Sequence, residues 1–292
     1  MAQNLIFTRN ANKGELSVDR MRYLAPAIFA DTVKHTLTPR YAQLRTADVL
    51  PVLADHGFVP TQAAQKRSRK ASPEHTQHMV AFAHRDSLIE AYNEDSHRGE
   101  IILYNSHDGS GSIKLFVGSY RAICDNGLIG GDGFDSRLYH NVANVNSFEV
   151  MLTNTVKCLP VMLERIEQMR GIQLSRDAQR EMAKRSALTR WKWTDTPELA
   201  DDVVMRGSYA TGGTVQSLLT PHRIADGYDD AWTVYNRIQE NVCRGGGALI
   251  KSFTEKNPDG MYRKARAINS VAENVRVNRE LWDIAEEICE IA

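Results

Sequence analysis

The sequence is short of cysteine, of net charge and of long apolar runs, and each shortage closes off a class of protein. Its four cysteines, Cys124, Cys158, Cys243 and Cys289, lie far apart and form no C-x-x-C pair. That pattern fits free thiols in a reducing compartment and excludes a dense disulfide framework. Lys plus Arg and Asp plus Glu number 36 each, for a formal net charge of zero. A generally basic polyanion binder is thereby excluded, while a local basic groove is not. No apolar run approaches membrane-spanning length, and the lead MAQNLIFTRNANKGEL lacks the apolar core of a signal peptide. The expectation is a cytoplasmic protein with no membrane partner.

Repeats and low-complexity linkers are missing as well. There is no Walker-type phosphate loop, no Gly-x-Ser-x-Gly elbow, no zinc-protease helix and no diagnostic pair of carboxylates. No catalytic residue, metal or cofactor is therefore assigned. What is present is ordinary globular material, 42% hydrophobic and 25% charged, enough to build a core in a chain of this length.

The stretch Glu100 to Leu128 organises the first half. Ile101 to Tyr104 form an apolar run of strand type, and His107-Asp108-Gly109-Ser110-Gly111 is turn chemistry. Ile113, Leu115 and Val117 then alternate with Lys114, Phe116 and Gly118, giving a returning antiparallel strand. Tyr120 to Asn126 reads as a helix, capped by Ser119 and closed by Gly127. Upstream, Thr46 can cap a helix with Val49, Leu50, Val52 and Leu53, which carries Pro51 and closes at Gly57. Phe58-Val59 begins an extended segment, and Thr76 to His84 alternates as a strand. The expected strands are 76–84, 100–105 and 112–118, arranged as an antiparallel meander.

The second half reads as helical. Val156, Leu159, Leu163, Ile166 and Met169 place one long helix over 148–169. Ser175 caps a charged helix running to about Arg190, and Trp191-Lys192-Trp193 breaks the pattern. Short helical signals at 201–205 precede a Gly-rich joint at 210–214. A helix over 229–242 turns Trp232, Tyr235, Ile238 and Val242 inward and stops at Gly245-Gly246-Gly247. A last helix is expected over 263–291. The fold class is thus α+β: a three-stranded antiparallel sheet with helices over 1–147, then a helical region over 148–292 packed on it.

The chemistry is sparse. His75, His78 and His84 cluster in sequence, but no cysteine or carboxylate completes a ligand spacing, so they read as scattered surface histidines. His107-Asp108 at a hairpin tip is most simply the turn the hairpin needs. Cys124, beside Asp125 and upstream of His140, allows a thiol nucleophile, although a short helix next to Ile123 and Leu128 is an ordinary place for a structural thiol. Lys66-Arg67-Ser68-Arg69-Lys70 is the densest basic run. It offers phosphate contacts, with Phe82, Tyr104, Phe116 and Tyr120 nearby as stacking aromatics; a solvated loop beside an ordinary core explains the same residues.

Two stretches resemble a family of phage- and plasmid-borne proteins known only as a domain of unknown function. One is Asp108-Gly109-Ser110 followed by Tyr120-Arg121-Ala122-Ile123-Cys124-Asp125-Asn126-Gly127-Leu128. The other is Trp232 to Asn241, continuing through Arg266-Ala267-Ile268-Asn269-Ser270 to Asn278-Arg279-Glu280-Leu281-Trp282. The likeness covers roughly 20–290, and the Gly-rich loop before His140 departs from the family pattern. The family imports no secure activity. Its strand-strand-strand-helix order is similar to the core of single-strand annealing proteins of the Red-beta and Erf class, an analogy of fold alone.

The reading is a mobile-element nucleic-acid-binding protein that binds or anneals single-stranded DNA in recombination, as a homo-oligomer. Lys66, Arg67, Arg69, Lys70 and Lys114 would contact phosphate, Arg121 and Arg137 would line the groove, and Phe116 or Tyr120 would stack on bases. A second reading is an enzyme acting on nucleotides or nucleic acid through Cys124, Asp125, His107 and His140. A third is an interaction protein that counters a host defence.

Overall fold

A computed structural model describes residues 14–31, 43–66, 73–88, 97–109, 111–121, 126–131, 133–193, 198–200, 218–245, 249–254 and 257–291. Contacts divide the chain into two compact units, Met1–Leu163 with Asn269–Val271, and Glu164–Ile268 with Ala272–Ala292. The expected helix at 201–205 and the Gly-rich joint at 210–214 lie outside the described residues.

The first unit is built on an antiparallel sheet. Its strands are β1 (Phe58–Gln65), β2 (His78–His84), β3 (His97–Asn105), β4 (Ile113–Arg121), β5 (Asn126–Ile129) and β6 (Asp135–Leu138). They run in the order β1-β2-β3-β4-β5, with β6 also pairing β4. The meander is as expected, but the sheet has a five-strand path plus β6, not three strands.

Two features hid the extra strands. β1 carries Pro60 at a register shift, where a proline costs no ladder bond, and the Pro60 carbonyl accepts from the Leu16 amide at 2.7 Å. β5 and β6 both lie along β4, one on Gly118 to Arg121 and the other on Ile113 to Phe116. Glycines 130, 131 and 133 mark the excursion between them, which reads in sequence as a plain loop. The helix expected over Tyr120 to Asn126 is not formed at its two ends. Tyr120 and Arg121 continue β4 and Asn126 opens β5; residues 122–125 lie outside the described residues.

Three helices serve this unit: α1 (Val18–Leu24), α2 (Thr46–Asp55) and α3 (Val145–Val156). Ser17 caps α1, and a capping box of Asn144 with Ser147 starts α3. α2 keeps Pro51 inside it and buries Val49 and Leu53. α3 buries Phe148, Met151 and Leu152, and the Thr155 hydroxyl, which donates to the Met151 carbonyl at 2.8 Å, is hydrogen-bonded to the Ser136 hydroxyl of β6 at 3.0 Å.

The single long helix expected over 148–169 is two, α3 and α4 (Cys158–Gly171). Pro160 lacks an N–H, and its ring would clash with the carbonyl four residues earlier, at Val156, where α3 ends.

The second unit holds α5 (Arg176–Trp191), α6 (Ala231–Arg244), a hairpin of β7 (Leu249–Thr254) and β8 (Asn257–Lys264), and α7 (Val271–Ile291). The expected helix over 263–291 therefore starts only at Val271: residues 263–264 belong to β8, and residues 265–270 are neither helix nor strand. α6 is buried along its whole length from Ala231 to Cys243, not on one face. Its apolar side carries the stacked rings of Trp232 and Tyr235 at 5.8 Å, with Trp282 of α7 edge-on to Tyr235 at 5.9 Å.

The polar side of α6 is buried by partners. Arg223 grips Glu240 through two bonds of 2.8 and 2.9 Å. Arg237 donates to the carbonyls of Leu219 and Tyr228, Asn241 to those of Leu218 and Thr220, and Gln239 to Asn278. These bonds replace most of those the side chains lose by leaving water, although the Arg237 Nε finds no hydrogen-bond partner among the described residues.

Gly245 closes α6 in the left-handed region at φ 76°, and a Cβ there would stand 2.3 Å from the Ala265 carbonyl oxygen. The obstacle is backbone and cannot rotate away. Gly245→Ala is expected to lose more than about 1 kcal/mol in urea unfolding. Gly171→Ala, where a Cβ meets nothing within 4 Å, is expected to be near neutral.

Candidate functional site

The sheet of the first unit has one end where polar and charged side chains gather. The end of β1, the start of β2, the end of β3, the start of β4 and the end of β6 meet there. The pairs Gln65↔His78, His78↔Asn105, Tyr104↔Lys114 and Lys114↔Arg137 fix the register. Successive residues of a strand point to opposite faces. Asn105 and Tyr104 therefore separate this end into a buried network and a cationic rim.

The network is anchored by His78, which is fully buried. Its Nδ1 lies 3.0 Å from the Thr76 carbonyl and its Nε2 lies 2.7 Å from the Thr46 hydroxyl at the start of α2. A carbonyl only accepts, so Nδ1 carries the proton and Nε2 accepts from Thr46. The Thr46 oxygen then accepts from Asn105 Nδ2 at 3.0 Å, which also reaches the Leu44 carbonyl and His107 Nε2, each at 3.2 Å. Asn105 Oδ1 takes the Ser106 amide at 2.7 Å.

His107 follows from the same logic. Accepting at Nε2, it holds its proton at Nδ1, which has no hydrogen-bond partner among the described residues. Its ring sits edge-on to His78 at 5.0 Å and to His140 at 6.5 Å. Burial pushes the His78 imidazole down to about 4 and, with the neighbouring histidines adding to it, His107 down to about 3. Both rings are neutral at ordinary pH. Among the described residues no group of three or more His, Cys, Asp or Glu is arranged to hold a metal ion.

The rim lies on the other side. Lys66 is exposed at the end of β1, and its amide donates to the Gln77 carbonyl at 2.7 Å. Lys114 and Arg137 are direct cross-strand neighbours. The Lys114 ammonium stands 5.7 Å from the centre of the Tyr104 ring, and Arg137 donates to the Tyr139 hydroxyl at 3.5 Å. Arg137 is exposed, and Tyr139 is 58% exposed. Burial, helped by the Asp108 charge, pushes the Tyr104 phenol up to about 12.

Lys66, Lys114 and Arg137, far apart in sequence, thus share one end of the sheet. Arg67, Arg69 and Lys70 lie outside the described residues. The other expected contacts are placed differently. Phe116 is in mid-strand and 1% exposed, so its ring offers no open face for stacking. Tyr120 is buried toward the far end of β4, under the Arg98 guanidinium at 5.0 Å, and Arg98 in turn pairs with buried Glu100 at 3.0 Å. Arg121, also at the far end, is 1% exposed and belongs to the interior. Because β4 runs on where a helix was expected, both Tyr120 and Arg121 are drawn into the sheet.

The histidines also depart from the sequence reading. His84 is exposed, whereas His78 is core and His107 is no mere turn residue. Both faces of β2 are buried from His78 to Ala83 and only His84, at its far end, is exposed, so strand parity does not tell the two histidines apart. Nothing in the sequence links Thr46 to His78. Of the four residues of the nucleophile reading, His107 and His140 are brought together, while Cys124 and Asp125 lie outside the described residues.

The model of the family described as domain of unknown function DUF932 matches residues 35–282. The chain belongs to this family. Two relatives in Escherichia coli (strain K12) are similar to this DUF932 chain over nearly their whole length. The UPF0380 protein YafZ is 28% identical over 275 residues, covering 94% of this chain and 91% of the relative. The UPF0380 protein YfjQ is 29% identical over 279 residues with the same coverage. No solved structure matches this DUF932 chain.

The buried histidines make the fold acid-sensitive. Their folded values lie below the ordinary 6.5, so the unfolded chain binds protons first as pH falls. The stability they contribute is complete above about 6.5 and lost progressively toward pH 4 and then 3, on the order of a few kcal/mol per imidazole. Urea midpoints measured across that range are expected to fall with pH, and more shallowly in His107→Gln.

Proposed function

We propose that this end of the sheet is a nucleic-acid-binding face, with single-stranded DNA as its ligand. The observation that carries the reading is the placement of Lys114 and Arg137 on adjacent strands, in line with Tyr104 and Tyr139 and at the same end as Lys66. Two cations side by side on adjacent strands present concentrated positive charge to a polyanion lying across them. Phosphates supply the charge, and exposed Tyr139 supplies a ring on which a base can stack.

The histidine network underneath has a supporting part. By tying α2, β2, β3 and the β3–β4 turn together, it holds the rim in one geometry and lowers the ordering cost of binding. Neutral, hydrogen-bonded rings suit that task better than acid–base work near pH 7. A mobile-element setting, annealing activity and assembly of several copies are the finer form of the proposal. Their support is the resemblance drawn from the sequence and the antiparallel meander followed by a helix.

The test is single-stranded DNA binding followed by fluorescence anisotropy across a salt series. Lys114→Gln with Arg137→Gln is expected to weaken binding at every sequence and to reduce the salt slope by about 0.7 for each phosphate no longer neutralised. Arg85→Gln, exposed at the opposite end of the sheet, is the control and is expected to leave both unchanged. An unaltered slope in the double variant would refute the proposal.

A further inference from the structure

The Trp191-Lys192-Trp193 segment closes α5 in the second unit. Lys192 caps the helix at φ 56° and ψ 41°, and among the described residues it is the one non-glycine residue with positive φ. Glycine usually fills such a position because a Cβ makes it costly. The two indoles on either side of Lys192 stack, with centroids 5.1 Å apart and planes 24° from parallel.

The pile has a third layer. The Arg190 guanidinium lies 5.9 Å from the centre of the Trp191 ring. It is fixed there by donating to the Val242 carbonyl at 3.4 Å and the Arg266 carbonyl at 3.2 Å. Arg190, Trp191 and Trp193 thus form a stack whose inner end is anchored and whose last ring, Trp193, is only half-buried. Lys192 is exposed beside it. Arg276 is already engaged by Glu273 at 2.7 Å and Glu280 at 2.9 Å. Arg276 holds the Glu273 carboxyl below its ordinary value, with smaller pulls from Lys192 and Arg190, so the cations share this side of the helix end. Lys192 is the cation that extends into solvent.

We propose that Trp193 is a stacking platform for an unpaired nucleobase, and that Lys192 meets the phosphate next to that base. Strained backbone, an anchored ring pile and an exposed lysine together describe a site prepared for a planar ligand carrying negative charge. The ligand class rests on the nucleic-acid reading; the residues of the site are all distinct from those of the basic rim.

The chain has four tryptophans, of which Trp232 and Trp282 are fully buried. Ligand-induced quenching therefore reports on Trp191 and Trp193. A short oligodeoxyadenylate is expected to quench emission from the wild-type chain, and an abasic strand of the same length is not. In anisotropy titrations Trp193→Ala is expected to weaken oligodeoxyadenylate binding roughly five- to hundredfold with the salt slope unchanged. Trp193→Phe is expected to recover most of the loss, which separates stacking from misfolding. If Trp193→Ala binds as wild type while Lys114→Gln with Arg137→Gln does not, the platform is wrong and the rim stands. If the rim variant binds as wild type and Trp193→Ala does not, the platform stands alone. Equal quenching by the abasic strand would also overturn it.

Discussion

The Thr46 hydroxyl, lying between His78 and Asn105, is the constraint on which the candidate site depends. It donates to one and accepts from the other, joining the start of α2 to β2 and β3. The direction of each bond follows from the Thr76 carbonyl, which obliges His78 to donate from Nδ1. Removing any member leaves a buried donor or acceptor without its partner, the expensive case in a low-dielectric interior. The β3–β4 turn is held by the same chain of bonds, since Asn105 also touches His107 and the Ser106 amide. The rim inherits its order from this interior, because Tyr104 adjoins Asn105 on β3 and Lys114 of β4 pairs with Tyr104.

How far the sequence disclosed this fold depended on whether each signal was local. Alternation places β2 at 76–84 against an observed His78–His84, and the apolar run Ile101 to Tyr104 marks β3. Ser175 is legible as a cap because its hydroxyl accepts the amide three residues on. The break at Pro160 has a local signal too, but the apolar spacing of Val156, Leu159 and Leu163 carries through it and hides the discontinuity. β5 and β6 were not legible. They are short, and their pairing with β4 is a tertiary fact that glycine-rich sequence does not announce. β8 was hidden in a similar way, by the apolar periodicity of α7 just downstream.

The candidate site shows the same division. Lys66, Lys114 and Arg137 were each identifiable as charged residues, yet only the strand register brings them to one end of the sheet. Phe116 and Tyr120 met the composition of a stacking surface but fall where β4 is covered. Exposure, unlike residue type, is decided by what packs on a strand. His78 illustrates the converse: its buried imidazole has one bond to the nearby Thr76 carbonyl and the other to Thr46, whose distance in sequence gives no warning of the contact.

α6 extends that argument to the resemblance. Asn236 and Glu240, the Asn-x-x-x-Glu pair of the second motif, look like chemistry by their type and spacing. In the structure Asn236 donates to the Trp232 carbonyl within its own helix, and Glu240 is held by Arg223 and lies 3.7 Å from Arg244. Asn278, in the later motif, receives Gln239 and lies 3.8 Å from Cys243, whose thiol burial pushes up to about 12. A thiol held that far above neutrality is a poor nucleophile. The motif's polar residues are therefore explained by the requirement that a helix buried on all sides satisfy the polar groups it carries. Function is then to be sought where cations and rings face outward, at the rim of the sheet and at the end of α5.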